Sequence, residues 1–160
     1  MGEKNVESLV LFAKPPVLGK VKTRLAHTLG EADALNVYAA LLKDSLSLMS
    51  QWLQRETQGP QRARVYLSEA GDTQETLWDG LETYLQRGKD LGERMENCFA
   101  QEWDEGAHKV VLIGADAPML PFYFLRQAFD ALNWHDLVLG PAFDGGYWLV
   151  GAKEKTPPIF

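Results

Sequence analysis

The sequence predicts an α/β domain with a mostly parallel sheet, and three observations carry that reading. Short, strongly apolar runs such as Val110-Val111-Leu112-Ile113 are long enough for a buried strand, too short for a helix, and stopped by glycine, here Gly114. Longer tracts repeat their apolar residues every three or four positions, as an amphipathic helix does. The two patterns alternate along the whole chain, with no internal repeat and no low-complexity tract, so residues 1–160 read as one domain.

Ser8 to Ala13 is the first strand. Lys14 to Leu25 follows as a stiff loop turning into a short helix, with Pro15 and Pro16 rigidifying the exit and Gly19 permitting a sharp turn. Over Glu31 to Leu53, the residues Leu35, Tyr38, Leu42, Leu46, Met49 and Leu53 form one helical face, read as core packing alone. Gln58-Gly59-Pro60 breaks the chain before a strand at Ala63 to Leu67. Thr73 to Trp78 reads as a helical turn, Asp79-Gly80 as a turn and Thr83 to Gln86 as a short strand. Leu91, Met95, Phe99 and Trp103 stripe the next helix, with Cys98 alongside, and Asp90-x-x-Glu93 has the spacing of an N-cap with its reciprocal partner. After the strand ending at Gly114, Leu120 to Leu132 is a helix and Asp136 to Ala142 repeats the strand-then-glycine pattern. Asp144-Gly145-Gly146 is a tight connection into the strand-like Tyr147 to Gly151, and Lys153 to Phe160 is a polar, proline-containing tail.

Composition bounds the function. At 46% hydrophobic and 24% charged, 160 residues suffice for a sizeable core. No apolar run approaches the roughly 18 residues that cross a bilayer, and Met1 to Val6 lacks a signal-peptide pattern, so a cytoplasmic protein without membrane partners is expected. Cys98 is the sole cysteine, which excludes an intrachain disulfide and a cysteine zinc site. His27, His108 and His135 are too scattered to form a metal cluster by spacing. A net charge of −6 argues against nucleic acid.

The cations are unevenly placed. No acidic residue lies between Glu7 and Glu31, while Lys14, Lys20, Lys22 and Arg24 do. Such a patch on an acidic protein is either a solvated basic turn or a cradle for a small anion; the missing compensation favours phosphate. It is no Walker loop, because Lys14 and Pro15 stand where the first glycine would be, and there is no G-x-G-x-x-G. Asp116 sits just past the carboxyl end of a strand, where open parallel sheets bind ligands. Its carboxylate either caps the loop or holds a hard divalent cation bridging phosphates. Asp144 either makes its turn or supplies a second oxygen ligand from the same sheet edge. Asp90 and Gly92 stand at a helix start, where the glycine also leaves room for a base or ribose.

Four ordered motifs, spanning nearly the whole chain, give the sequence its resemblance. They are Phe12-Ala13-Lys14-Pro15 with Gly19-Lys20-Val21-Lys22-Thr23-Arg24-Leu25; Asp90-Leu91-Gly92-Glu93-Arg94-Met95; Gly114-Ala115-Asp116-Ala117-Pro118-x-Leu120; and Gly140-Pro141-Ala142-x-Asp144-Gly145-Gly146-Tyr147. Together they resemble the bacterial glycosyltransferase-like proteins known as radical-SAM/selenodomain-associated transferases, of the nucleotide-diphospho-sugar transferase superfamily. The resemblance implies a three-layer αβα sandwich of the GT-A type. The chain departs from the pattern at Ala115 and Ala117, which flank Asp116 in place of a small polar residue and a cysteine. Met119 replaces a second acidic residue and Lys89 a glycine. The family pattern also runs several tens of residues past Phe160, so this chain reads as shortened at its carboxyl end.

What the resemblance implies is transfer from a nucleotide-activated donor to a small-molecule acceptor, either glycosyl or nucleotidyl. Asp116 and Asp144 would hold magnesium or manganese; Lys14, Gly19, Lys20, Lys22 and Arg24, with Asp90 and Gly92, would bind the nucleotide or nucleotide-sugar; Lys22 and Asp116 would be catalytic. No side-chain nucleophile is implied. The alternative is a degenerate nucleotide-binding module without turnover.

Overall fold

The computed structural model describes residues 5–55, 59–71, 75–78, 80–117, 120–154 and 160. Its strands are β1 (Val6–Ala13), β2 (Gln61–Leu67), β3 (Glu82–Leu85), β4 (Ala107–Gly114), β5 (Leu137–Pro141) and β6 (Tyr147–Lys153). Its helices are α1 (Thr23–Leu29), α2 (Glu31–Gln54), α3 (Leu91–Asp104) and α4 (Phe122–Ala131), with a 3-10 turn at Glu75–Trp78. The strands form one sheet in the order β3-β2-β1-β4-β6-β5. β1 pairs parallel with β2 and β4, and β2 with β3. β6 runs antiparallel between β4 and β5, so Asp144-Gly145-Gly146 is the hairpin turn that the sequence predicts. Pro118, Met119 and the tail from Lys155 to Ile159 lie outside the described residues, as do Thr73, Gln74 and Asp79 of the expected turns.

The central strands are apolar on both sides because both faces are covered. One face of β1 and β4 (Leu9, Leu11, Val111, Ile113) packs with Tyr38, Leu42 and Met49 of α2 and Leu125 and Phe129 of α4. Trp52 stacks on Phe129 at 4.3 Å between ring centroids, tying the two helices together. The other face (Val10, Val110, Leu112, Val150) meets Met95, Cys98 and Phe99 of α3. The result is the expected three-layer arrangement.

Two helical stripes differ from expectation in register. Leu53 is 40% exposed, and Trp52 and Leu48 complete the α2 face instead; Leu91 is 60% exposed, because the first residue of α3 precedes the turn that reaches the sheet. Asp90 caps α3 as predicted, accepting from the Glu93 N–H at 2.9 Å. Glu93 returns its carboxylate to the N–H of Lys89, not to that of Asp90, at 2.8 Å.

The α3 face holds a polar centre that the sequence reading misses. Glu102 is fully buried, and its two oxygens accept from Ser8 Oγ (2.7 Å), Arg62 Nη2 (2.6 Å), Arg64 Nη1 (3.1 Å) and the Tyr66 hydroxyl (2.7 Å). A carboxylate taken from water is tolerated only when its lone pairs are filled in this way. β1, β2 and α3 all contribute, so the cluster fixes the helix against two strands. Burial, reinforced by the negative charge of Glu102, pushes the neighbouring Cys98 thiol well up, leaving it an inert packing residue. Removing one side of such a buried cluster strands the other charges. We expect Glu102→Ala to lose about 3–5 kcal/mol of unfolding free energy in urea. Glu82→Ala, which removes an exposed partner of Arg64, should lose about 1 kcal/mol or less.

Candidate functional site

β1 and β4 lie side by side in parallel, but the chain turns away from them in opposite directions along the sheet, to β2 from one and, through α4, to β5 at the far edge from the other. Their carboxyl ends therefore bound the crevice where ligands bind in open α/β sheets. The loops leaving them are joined at the root: Phe12 pairs in register with Gly114, and Ala115 N–H donates to the Phe12 carbonyl at 3.1 Å. Lys14 to Lys22 and Asp116 thus start from one point.

The loop after β1 is shaped by three anchors. The Tyr38 hydroxyl, on α2, accepts from the Lys14 N–H and donates to the Lys14 carbonyl, both at 2.8 Å. Pro15 packs so tightly on the loop after β2 that a Cβ at Gly71 would come within 2.8 Å of its ring. Val21 is buried in the core at 2% exposure. Because Val21 points inward, its neighbours are thrown outward to different partners: Lys20 Nζ meets Glu69 at 3.1 Å and Lys22 Nζ meets Asp116 Oδ1 at 2.6 Å. Lys22 pays for its position with a left-handed backbone (φ +48°), the sole positive φ at a non-glycine among the described residues. Gly19 turns the loop at φ +77°, with the Glu31 carboxylate 3.3 Å from where its Cβ would be.

One expectation changes here. The stretch between Glu7 and Glu31 contains no acid, but the fold supplies Glu69 and Asp116 from distant loops, so Lys20 and Lys22 are paired after all. Lys14 and Arg24 are exposed, and Arg24 has no ion-pair or hydrogen-bond partner among the described residues. The Lys22–Asp116 pair is itself weakly held. The Asp116 side chain is 72% exposed, and such a pair contributes about 1 kcal/mol or less, so an incoming anion can displace it.

The remaining candidates stand along the same edge. Asp144 lies in the β5–β6 hairpin, which closes at the carboxyl end of β4; its Oδ1 accepts from the Gly146 N–H at 3.1 Å, as the turn reading requires. Among the described residues, no group of three or more His, Cys, Asp or Glu side chains is placed to hold a metal. A magnesium-like ion does not need one, because it keeps waters and takes one or two carboxylates plus substrate phosphates; the exposed Asp116 carboxylate fits that role. Asp90 and Gly92 start α3 beyond β3. The space over Gly92 is partly taken by Phe160, whose Cβ would be 3.4 Å from a Cβ placed there.

With this geometry in view, residues 53–160 match the model of a family described as an uncharacterized protein conserved in bacteria (DUF2064). The chain belongs to that family. No curated protein matches it in sequence. Among solved structures it is similar to a protein of Desulfovibrio desulfuricans G20, provisionally described as a nucleotide-diphospho-sugar transferase. The TM-score is 0.81 and the identity 30%, over 92% of this chain and 63% of that one. It also shares its fold with a cytidylyltransferase of Leptospira borgpetersenii serovar Hardjo-bovis (TM-score 0.57, 14% identity, 93% and 60% coverage). A third match is a 4-diphosphocytidyl-2C-methyl-D-erythritol synthase (0.54, 14%, 88% and 62%). The family member described here therefore has the GT-A-like fold of the nucleotide-diphospho-sugar transferase superfamily, and spans about three fifths of the length of these structures.

Tyr38 and the left-handed Lys22 are the site features that sequence reading misses, and both yield measurements. Burial, with a smaller push from the Asp116 charge and opposed by the Lys14 hydrogen bond, raises the Tyr38 phenol from 10.0 to about 12. The folded state thus holds this proton more tightly than the unfolded chain. Its contribution to stability is complete below pH 10 and disappears as pH rises through 12. Unfolding free energy measured across that window should fall less steeply in Tyr38→Phe than in the wild type. At neutral pH the same variant should lose about 1–3 kcal/mol, from the unpaired Lys14 backbone. Lys22→Gly should be about 1 kcal/mol more stable than Lys22→Ala in the same assay, since only glycine adopts that backbone without strain.

Proposed function

We propose that this chain carries the donor-binding half of a transferase that uses a nucleotide-activated donor, glycosyl or nucleotidyl, with its phosphates seated between the β1 loop and Asp116. The observation that carries the reading is the Lys22–Asp116 contact: two opposite charges 94 positions apart meet at 2.6 Å in the switch-point crevice. The similarity to the Desulfovibrio protein supports it.

In this reading the lysines exchange partners. Donor phosphate oxygens replace Asp116 on Lys22, with Lys14, Lys20 and Gly19 along the loop and Arg24 offering a planar fork to the same oxygens. Asp116 is released to hold a divalent cation, with Asp144 on the same edge as the candidate for a second oxygen. When bound, such an ion supplies Lewis-acid neutralisation of charge on the leaving phosphate. The helix start at Asp90 and Gly92, toward β3, is assigned to the nucleoside. The attacking group belongs to the small-molecule acceptor, and the protein's own contribution is alignment and fixed positive charge.

Calorimetric titration of nucleoside triphosphates and nucleoside diphosphate-sugars, with magnesium, tests the reading. Binding should weaken about 10–100-fold in Lys22→Ala, the loss of a charge-assisted hydrogen bond. Tighter triphosphate binding favours nucleotidyl transfer, and tighter nucleotide-sugar binding glycosyl transfer. Asp116→Asn should bind nucleotide no worse than wild type in EDTA but lose the gain that magnesium brings. If the wild type binds no nucleotide, the proposal is wrong. Stabilisation by magnesium and nucleotide without product from any acceptor would reduce it to a binding module.

A further inference from the structure

A cavity opens beside the Asp116 loop, on the face covered by α2 and α4, with a volume of about 340 Å³. Its base is apolar, made by Leu48, Ile113 and Phe122, while the exposed α2 wall carries Asp44, Ser47 and Gln51. Gly114 and Ala117 also line it, and these two residues flank Ala115-Asp116 in the chain. A molecule seated here therefore lies against the same short segment that presents the Asp116 carboxylate. The size falls in the range of small-ligand sites, about 300–1,000 Å³.

The lining is chemically one-sided. Among the described residues that line it Asp44 is the sole charged one, and Asp44 makes no hydrogen bond or ion pair with any described residue; the cation beside it is Arg55, whose guanidinium lies 3.6 Å over the Phe122 ring, eleven positions along the chain from Asp44. Gln51 Nε2 donates to Ser47 Oγ at 3.5 Å, a contact long enough to yield to a ligand hydroxyl. We propose that this cavity is the subsite for the body of the acceptor, and that the acceptor joins an apolar portion to a neutral hydroxyl or protonated amine instead of a phosphate. A phosphate at the Asp44 end would face that carboxylate, while Arg55 is held on the Phe122 ring about three helical turns further along α2. The word acceptor rests on the transferase reading above; the ligand class rests on the cavity alone. If both hold, the chemistry narrows, because nucleotidyl transfer to a phosphorylated acceptor would place that phosphate away from this subsite.

Three probes of equal apolar length and different head charge decide it: hexyl β-D-glucoside, hexylamine and hexyl phosphate, titrated calorimetrically into the full chain. The glucoside and the amine should bind, and the phosphate should bind at least about tenfold more weakly. Asp44→Lys should reverse the order of amine and phosphate. Ser47→Trp, a change at an exposed helix position that leaves the core intact, should abolish binding of all three by filling the cavity. In nucleotide-saturated protein the glucoside should still bind. Equal binding of all three heads, no binding, binding indifferent to Ser47→Trp, or exclusion of the glucoside by nucleotide would each overturn the proposal. Nucleotide binding lost on Lys22→Ala is read separately, so a failed cavity and a failed transferase reading give different results.

Discussion

Parallel pairing of β1 with β4 is the constraint on which the site depends. Parallel strands end on the same side of a sheet, so once Leu9 pairs with Val111 and Phe12 with Gly114, the exits of both strands share one edge. The pairing is specified by burial on both faces. Leu9 and Leu11 look toward α2 and α4 while Val10 and Phe12 look toward α3, and a slip of one residue would exchange the two sets. It would also move Asp116 by one residue rise, about 3.3 Å, relative to the β1 loop. A contact of 2.6 Å between Lys22 and Asp116 would not survive that shift. Core packing and site geometry are thus the same specification seen at two points of the strand.

Two buried polar side chains reinforce that specification, one on each face. Tyr38 reaches from α2 to hold both backbone groups of Lys14, and Glu102 reaches from α3 to gather Ser8, Arg62, Arg64 and Tyr66. Apolar packing alone tolerates small rotations of a helix on a sheet, whereas hydrogen bonds with one satisfying geometry do not. Tyr38 acts at the carboxyl end of β1 and Glu102 near its amino end. The strand that launches the cationic loop is therefore fixed at both ends.

The strands and the long helix were legible because their periodicities follow directly from burial, and strand exits followed from the glycines that stop the runs. The position of Asp116 at the carboxyl edge of the sheet could be read from Val110 to Gly114 alone. The charge balance could not. Counting acids between Glu7 and Glu31 treats the chain as a line, but Glu69 and Asp116 reach the lysines through β2 and β4, and ion pairs between distant loops leave no local pattern. Tyr38 was hidden for a related reason: it keeps the spacing of a packing residue, and only its hydroxyl separates it from one. Glu102 left a fainter signal. It falls on the α3 stripe three residues after Phe99, and a carboxylate on an apolar stripe demands a cationic partner, which the alternating Arg62 and Arg64 of β2 supply.

Pairing the lysines in advance has a consequence for selectivity. An unpaired cationic loop attracts any anion, and attraction of that kind is strong at a distance and indifferent to shape. Here Lys20 and Lys22 are already neutralised on a chain of net charge −6, so the long-range pull is small and binding becomes an exchange of partners. An anion gains from Lys22 only the difference between its own contact and the one that Asp116 gives up, and the exposed Asp116 carboxylate is then left to water unless the ligand brings positive charge with it. A bare phosphate meets the first requirement but not the second. A polyphosphate carrying its cation meets both. The αL backbone of Lys22 serves the same end, because it holds the ammonium at the crevice before any ligand arrives. Under the proposed reading, strain at this residue and its exposed carboxylate partner would be parts of one arrangement that favours the metal complex of a nucleotide over simpler anions.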